Sequence, residues 1–269
     1  MSKFPRITIV TPSFNQAVFL ERTILSVLGQ NYPNLEYIIV DGGSTDGSLD
    51  IIRKYSDKLT WWVSEPDRGQ VDAINKGFRR ATGEWVAWQN SDDLFYPGAL
   101  HDLAATAARR PEAGLIIGDI NLIDKYDKVL RDVRYVKPSY RAMLAEGMVM
   151  TNQAAFWRLR VHSEVGLLND SMHFAFDYEW FLRLTLHTEI VHVPRIWGAL
   201  RLHSETKTST KTHMFYEENI RILAGREMHG WLKWLFKLRR VVLMLRRGQL
   251  NYVLRGVYRR TRGNGGDLS

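Results

Sequence analysis

No cysteine occurs among the 269 residues. Disulfides, thiolate metal sites and a cysteine nucleophile are therefore excluded, and the composition suits a reducing compartment. Long apolar runs are missing too. No stretch reaches the roughly 18 uncharged residues that a membrane-spanning helix needs, so none is expected. The opening Met1-Ser2-Lys3-Phe4-Pro5 runs directly into a strand pattern, and no signal peptide is expected there. Two nucleotide fingerprints are absent, G-x-G-x-x-G and G-x-x-x-x-G-K-[ST], which argues against dinucleotide and P-loop chemistry. Acids are scarce in one place. Residues 226–262 hold eleven Lys/Arg and one acid, Glu227, a net +10 against +8 for the whole chain, so the remainder carries −2.

What is present is a globular composition, 45% hydrophobic and 12% aromatic, enough for one large domain or two small ones. One stretch organises the rest. Residues 84–89 read as a buried strand, and Asn90-Ser91-Asp92-Asp93 follow in a loop before Pro97 opens a new segment. In an open α/β sheet, ligands bind at the carboxyl ends of strands. Two adjacent carboxylates repel unless a cation joins them, and Mg²⁺ takes one or two carboxylates together with substrate phosphates. Asp92 and Asp93 thus suggest a metal–phosphate site; the alternative is a solvated turn, which Asp and Asn favour.

The same unit recurs along the first half. Strands are expected at 6–11, 35–40, 59–64, 84–89 and 114–119, alternating with helices that begin near 20, 48, 71 and 98. Alternation of this kind argues a mostly parallel sheet with helices on both faces. Three polar loops (11–15, 41–48, 90–93) and one helix start (68–72) could converge on one cleft. Further strands are expected at 129–136 and 153–157, a helix over 174–187, and two short strands, 190–194 and 197–202, joined through Pro194. Beyond Glu217, Trp231, Trp234, Leu235, Leu238, Val242 and Leu245 share one helix face, and Lys233, Lys237 and Arg240 lie on another. Such a helix reads as membrane-surface, or else as one packed on its own domain with solvated charges. No nucleic-acid reading motif accompanies the basic residues, and no nucleic-acid partner is expected.

Several ordered motifs together resemble the family 2 glycosyltransferases, over roughly residues 6–205. Val10-Thr11-Pro12-Ser13-Phe14-Asn15 and Val40-Asp41-Gly42-Gly43-Ser44-Thr45-Asp46-Gly47-Ser48 resemble the family's first two strand-and-loop units. Asp67 to Gly77 resembles its helix beside the sugar nucleotide, and Gln89 to Asp93 stands at its D-x-D position. Phe174 to Trp180 stands where the catalytic acid is carried, and Arg201-Leu202-His203 looks like a late Arg-x-His element. The resemblance implies a GT-A fold, an α/β/α nucleotide-binding sandwich. It implies a domain over 1–212, split into a nucleotide-sugar half (1–119) and an acceptor-side half (120–212), with a basic helical extension over 213–269.

It also implies roles. Phe14 would stack on the donor base and Pro12 would line the same pocket. Asp41 would accept a hydrogen bond from the base or ribose. Gln70, Asp72 and Asn75 would line the cleft or only cap a helix. Asp92, with Asp93 beside it, would hold Mg²⁺ or Mn²⁺ on the diphosphate, near Arg201 and His203, and Asp177 would be the general base. The implied activity is inverting, metal-dependent sugar transfer from a nucleotide-sugar donor, UDP-linked, to a glycan or lipid-linked acceptor in cell-surface polysaccharide synthesis. The implied place is the cytoplasmic face of a membrane, with 226–262 on its anionic surface. Asn90 departs from the first Asp of D-x-D, and Phe176 from the Glu expected before Asp177. Those departures leave one alternative, a catalytically inactive nucleotide- or glycan-binding module of the same fold. A nucleotidyltransferase is disfavoured, because Pro12 to Asn15 offers no basic, Gly-rich triphosphate loop.

Overall fold

The computed structural model describes residues 4–203 and 212–261. The junction 204–211, Arg262 and residues 263–269 of the expected extension lie outside the described residues. The first half alternates as its hydrophobic pattern requires: β1 (Ile7–Ser13), α1 (Ala17–Leu28), β2 (Leu35–Asp41), α2 (Ser48–Lys54), β3 (Trp61–Ser64), α3 (Gln70–Arg80) and β4 (Trp85–Trp88). A two-residue β5 (Leu94–Phe95), α4 (Ala99–Arg109) and the long β6 (Ala113–Ile123) follow. The second half holds β7 (Val129–Val133), α5 (Tyr140–Glu146), β8 (Ala155–Arg158), α6 (His162–Val165), α7 (Phe176–His187) and β9 (Glu189–Arg201). The extension is α8 (Thr212–Leu223), α9 (Gly230–Arg246) and α10 (Leu250–Thr261).

Among the described residues one nine-stranded sheet runs β3-β2-β1-β4-β8-β6-β9-β5, with β7 on β6. Strands β3, β2, β1 and β4 are mutually parallel, as are β6 and β9. β8 is antiparallel to both β4 and β6, and β7 and β5 are antiparallel additions. The sheet is therefore parallel from β3 to β4 and mixed beyond β4. β1 and β4 are buried along their whole length, which explains their unbroken apolar runs. α3 lies so close to β1 that a Cβ at Gly77 would overlap the Val10 side chain. Trp88, Trp157 and Phe181 pack ring on ring where β4, β8 and α7 meet.

Three expectations change. The two strands expected around Pro194 are one strand, β9. Its ladder with β6 skips from the Ile117–His192 pair to the Asp119–Ile196 pair, and Pro194, which has no N–H to donate, sits in the skipped segment. α5 was not expected at all: Tyr140–Glu146 is short, though Ser139 caps it, its Oγ accepting the Ala142 N–H at 3.2 Å. The extension contains three helices rather than one, and they touch the sheet domain. Arg240 pairs with Glu146 at 2.9 Å, Arg247 donates to the Tyr135 carbonyl at 3.2 Å, and the Tyr252 hydroxyl accepts the Arg134 N–H at 3.2 Å.

Candidate active site

The loops after β1 and β2 are tied to each other and to the strand ends beside them. Asp41 is fully buried, and its carboxylate accepts from Gly43 N–H (3.1 Å), Ser44 N–H (2.9 Å), Ser44 Oγ (2.5 Å) and Ser64 Oγ (2.7 Å). Gly43 makes this turn at φ +83°, where a side chain would be strained. Asn15 reaches φ 52°, a conformation Asn tolerates, and its Oδ1 accepts the Thr45 N–H at 2.9 Å. Asp46 Oδ2 accepts the first amide of α1, from Ala17, at 2.8 Å. On this braced platform Phe14 stands 59% exposed, an unusual position for a phenylalanine, facing a cavity of about 1090 Å³.

The Asp92–Asp93 pair divides into two roles. Asp93 is turned inward. Its carboxylate accepts from Asn90 Nδ2 (2.9 Å), Gln153 Nε2 (2.7 Å) and the Arg201 N–H (2.8 Å), and burial, then the charge of Asp92, pushes its pKa up. Asp92 lines the cavity with its side chain partly exposed, and its Oδ2 meets His203 Nε2 at 3.0 Å. Arg201 is buried beneath them. Its Nε donates to the Asp92 carbonyl (2.6 Å), its Nη1 to the Asp124 carbonyl (3.0 Å) and to Asp127. Asn90, the departure from D-x-D, has a physical reason. Its amide donates to Asp93 while its Oδ1 accepts from Gln70 Nε2 at 2.9 Å; a carboxylate there could not donate and would face Asp93 as a like charge.

Asp177 lines the same cavity from the first turn of α7. The start of that helix is held by a residue far along the chain. Glu218 of α8 accepts the N–H groups of His173 (2.9 Å), Phe174 (2.9 Å) and Ala175 (2.7 Å). Burial opposes its charge, but these three bonds outweigh it and keep the Glu218 pKa below the usual carboxylate range. Phe176, the second departure, is a core residue: it is buried with its ring 6.3 Å from that of Trp88.

The structure therefore brings Pro12, Phe14, Gln70, Asp92, Asp93, Asp177 and Arg201 to one cavity wall. Asp41, Asp72, Asn75 and His203 stand outside that wall. Asp41 and His203 brace its loops. Asp72 accepts the Arg68 N–H at 3.2 Å and pairs with Lys76 at 3.6 Å, so it caps the start of α3. Asn75 is buried and bonds both the carbonyl and the N–H of Leu168 at 2.9 and 3.1 Å, tying α3 to the second half instead of lining the cleft. Three supports were not found from sequence. Thr23, buried on the apolar face of α1, donates to the Ser91 and Asp93 carbonyls at 2.9 and 2.8 Å. A threonine among Leu20, Ile24 and Val27 was the available signal. Gln153 and Glu218 gave none, because each acts across more than 40 residues of chain.

A parallel α/β half whose strand-end loops face one cavity, followed by a mixed half that adds an acid, is the layout of a GT-A glycosyltransferase. The chain belongs to glycosyl transferase family 2, whose model matches residues 8–161. An uncharacterized glycosyltransferase of Mycobacterium tuberculosis is 30% identical over 196 residues, 72% of this chain and 74% of that one. An uncharacterized glycosyltransferase of Rickettsia typhi is 24% identical over 228 residues, covering 79% and 69%. Among solved structures, S. aureus TarS superposes with TM-score 0.66 at 16% identity, over 85% of this chain and 41% of TarS. The mannosyltransferase PcManGT of Pyrobaculum calidifontis, in complex with GDP-Man and Mn2+, superposes with TM-score 0.63 at 17% identity, over 98% and 81%. The protein is thus a glycosyltransferase of GT-A fold.

Proposed function

We propose that this glycosyltransferase is inverting and metal-dependent, and that it moves a sugar from a UDP-linked donor to a glycan or lipid-linked acceptor of the cell surface. One observation carries the reading: Phe14, Asp92 and Asp177 line a single cavity, while Asp93 and Arg201 are occupied in fixing the loop that presents Asp92. Phe14 stacks on the base over Pro12. Asp41 acts from behind, by shaping the loop that receives the nucleoside. Asp72 and Asn75 hold α3 in place, and Gln70 fixes Asn90.

Among the described residues there is no group of three His, Cys, Asp or Glu that could hold a metal. Asp92 and His203, 3.0 Å apart, offer one carboxylate and one imidazole. Mg²⁺ and Mn²⁺ accept such a partial set when substrate phosphates supply further oxygens, so the residues fit an ion bound together with the donor. The bound ion would neutralise the charge that grows on the departing diphosphate. Asp177 takes the proton of the acceptor hydroxyl, which attacks the anomeric carbon from the face opposite the diphosphate. One base and one displacement give inversion, with no covalent glycosyl intermediate. The reading extends to location: the basic extension holds the enzyme on the cytoplasmic face of a membrane, beside its acceptor.

The Asp177→Asn variant tests the assignment of the base. It is expected to bind donor as the wild type does while losing turnover; retained turnover would remove Asp177 from the mechanism.

A further inference from the structure

The extension meets the sheet domain with its polar side. α9 meets the sheet domain with the side that carries Arg240, which pairs with Glu146, and Met244, which is buried. Its six-residue apolar stripe faces outward: Trp231 is 63% exposed, Trp234 61%, and Leu235, Leu238, Val242 and Leu245 are exposed as well. α10 repeats the arrangement, with Leu250, Leu254, Val257 and Tyr258 exposed at helical spacing. A soluble domain rarely leaves so continuous an apolar surface uncovered.

Residues 204–211 contain no large apolar side chain, and residues 262–269 contain one, Leu268. A second copy is opposed by charge, because each copy would bring the +10 of residues 226–262 to the contact. Exposed Arg239 and Arg246, one heptad apart, flank the stripe, and an anionic bilayer would satisfy both the arginines and the apolar side chains. No helix among the described residues is long and apolar enough to cross a membrane, so the contact is a surface one. The opposite face of α9 reaches the cavity: Lys233, on the side of Arg240 and Met244, lines the same cavity as Asp92 and Asp177.

We propose that the outward stripe of α9 and α10 lies in the headgroup layer of an anionic membrane, so that α9, whose opposite face lines the cavity at Lys233, holds the cavity beside the bilayer surface. This deepens the membrane reading given above by naming the face and its orientation, and it rests on that reading only for the identity of the acceptor. An acceptor carried on a lipid would then enter from the bilayer side while the donor enters from solution.

The test is co-sedimentation of the full chain with phosphatidylcholine vesicles, with and without phosphatidylglycerol. The wild type is expected to partition onto the anionic vesicles. The double variant Trp231→Ser/Trp234→Ser, and separately Arg239→Glu/Arg246→Glu, should each lower that partitioning about ten-fold or more. Neither pair touches the donor side, so nucleotide binding by both variants should match the wild type and show that they fold. Absence of wild-type binding to anionic vesicles would overturn the proposal, as would equal binding by the variants. A concentration-dependent dimer that the tryptophan variant abolishes would overturn it in favour of a second copy. Because vesicle partitioning is read without turnover, its failure is distinguishable from failure of the catalytic assignment.

Discussion

The two halves of the molecule build their parts of the site differently. From β1 to β4 each side chain that matters is positioned by neighbours in the same or the adjacent loop: Asp41 by Gly43, Ser44 and Ser64, and Asn15 by Ser44 and Thr45. Beyond β4 the positioning is remote. Arg201 clamps Asp92 across 109 residues, and Glu218 holds the start of the Asp177 helix across more than 40. Local positioning makes a loop platform that the sheet presents ready-formed. Remote positioning makes the placing of Asp177 depend on the docking of the C-terminal helices.

That contrast can be broken by experiment. The largest effect is expected at Asp177. Its change to Asn should lower turnover by about 10²- to 10⁴-fold with donor binding intact, as steady-state rates and calorimetry would show. A comparable loss of donor binding would mean that the halves are not separable.

The second effect is one of pH. His162, at the seam between β8 and α7, accepts the Trp157 indole N–H at 2.9 Å, and burial, then the charge of Arg183, lowers its pKa to about 4. The folded state therefore favours the neutral ring. Stability from this group is complete above the ordinary pKa near 6.5 and is lost as pH falls from there towards 4, a total on the order of 3 kcal/mol. Urea midpoints across that range should fall for the wild type and fall less for His162→Gln.

Third, Glu218→Ala should lower turnover about ten-fold while the donor KM stays constant, because it frees three amides at the start of α7, a loss of about 1–2 kcal/mol. Glu218→Gln keeps an acceptor oxygen and should recover part of the rate; a purely structural role would change thermal stability and leave the rate of the folded enzyme alone. The smallest effect belongs to Asn90→Asp, expected to cost about 1 kcal/mol by removing a donor from Asp93 and adding a like charge. Denaturant unfolding measures it, and an unchanged midpoint would mean that Asn90 does not hold Asp93.

The same contrast explains what sequence reading could reach. Strands β1, β2 and β4 and their loops were legible because apolar runs ending in Asp, Asn and Gly mark both the element and the loop that follows. Phe14, Asp92 and Asp177 could be picked out for the same reason: their motifs are contiguous. The division of labour between Asp92 and Asp93 was not legible, since it depends on Gln153 and Arg201, which only the folded sheet brings there. For Asp72 and Asn75 the motif leaves open whether they line the cleft or only cap a helix; the fold ties Asp72 to the start of α3 and Asn75 to Leu168. The outward stripe of α9 was visible as a stripe, but periodicity states only that a helix has two faces. Which one meets the domain is decided by Glu146 and its partner Arg240.

The central claim is that Asp92 presents a metal-bound nucleotide sugar to Asp177. Titration calorimetry of UDP, GDP and their sugar conjugates tests it most directly, with and without Mn²⁺, on the wild type and on Asp92→Ala. The account predicts that a uridine nucleotide binds the wild type in a metal-dependent way and that Asp92→Ala abolishes this binding. Tight nucleotide binding that ignores the metal, or that survives in Asp92→Ala, would contradict it.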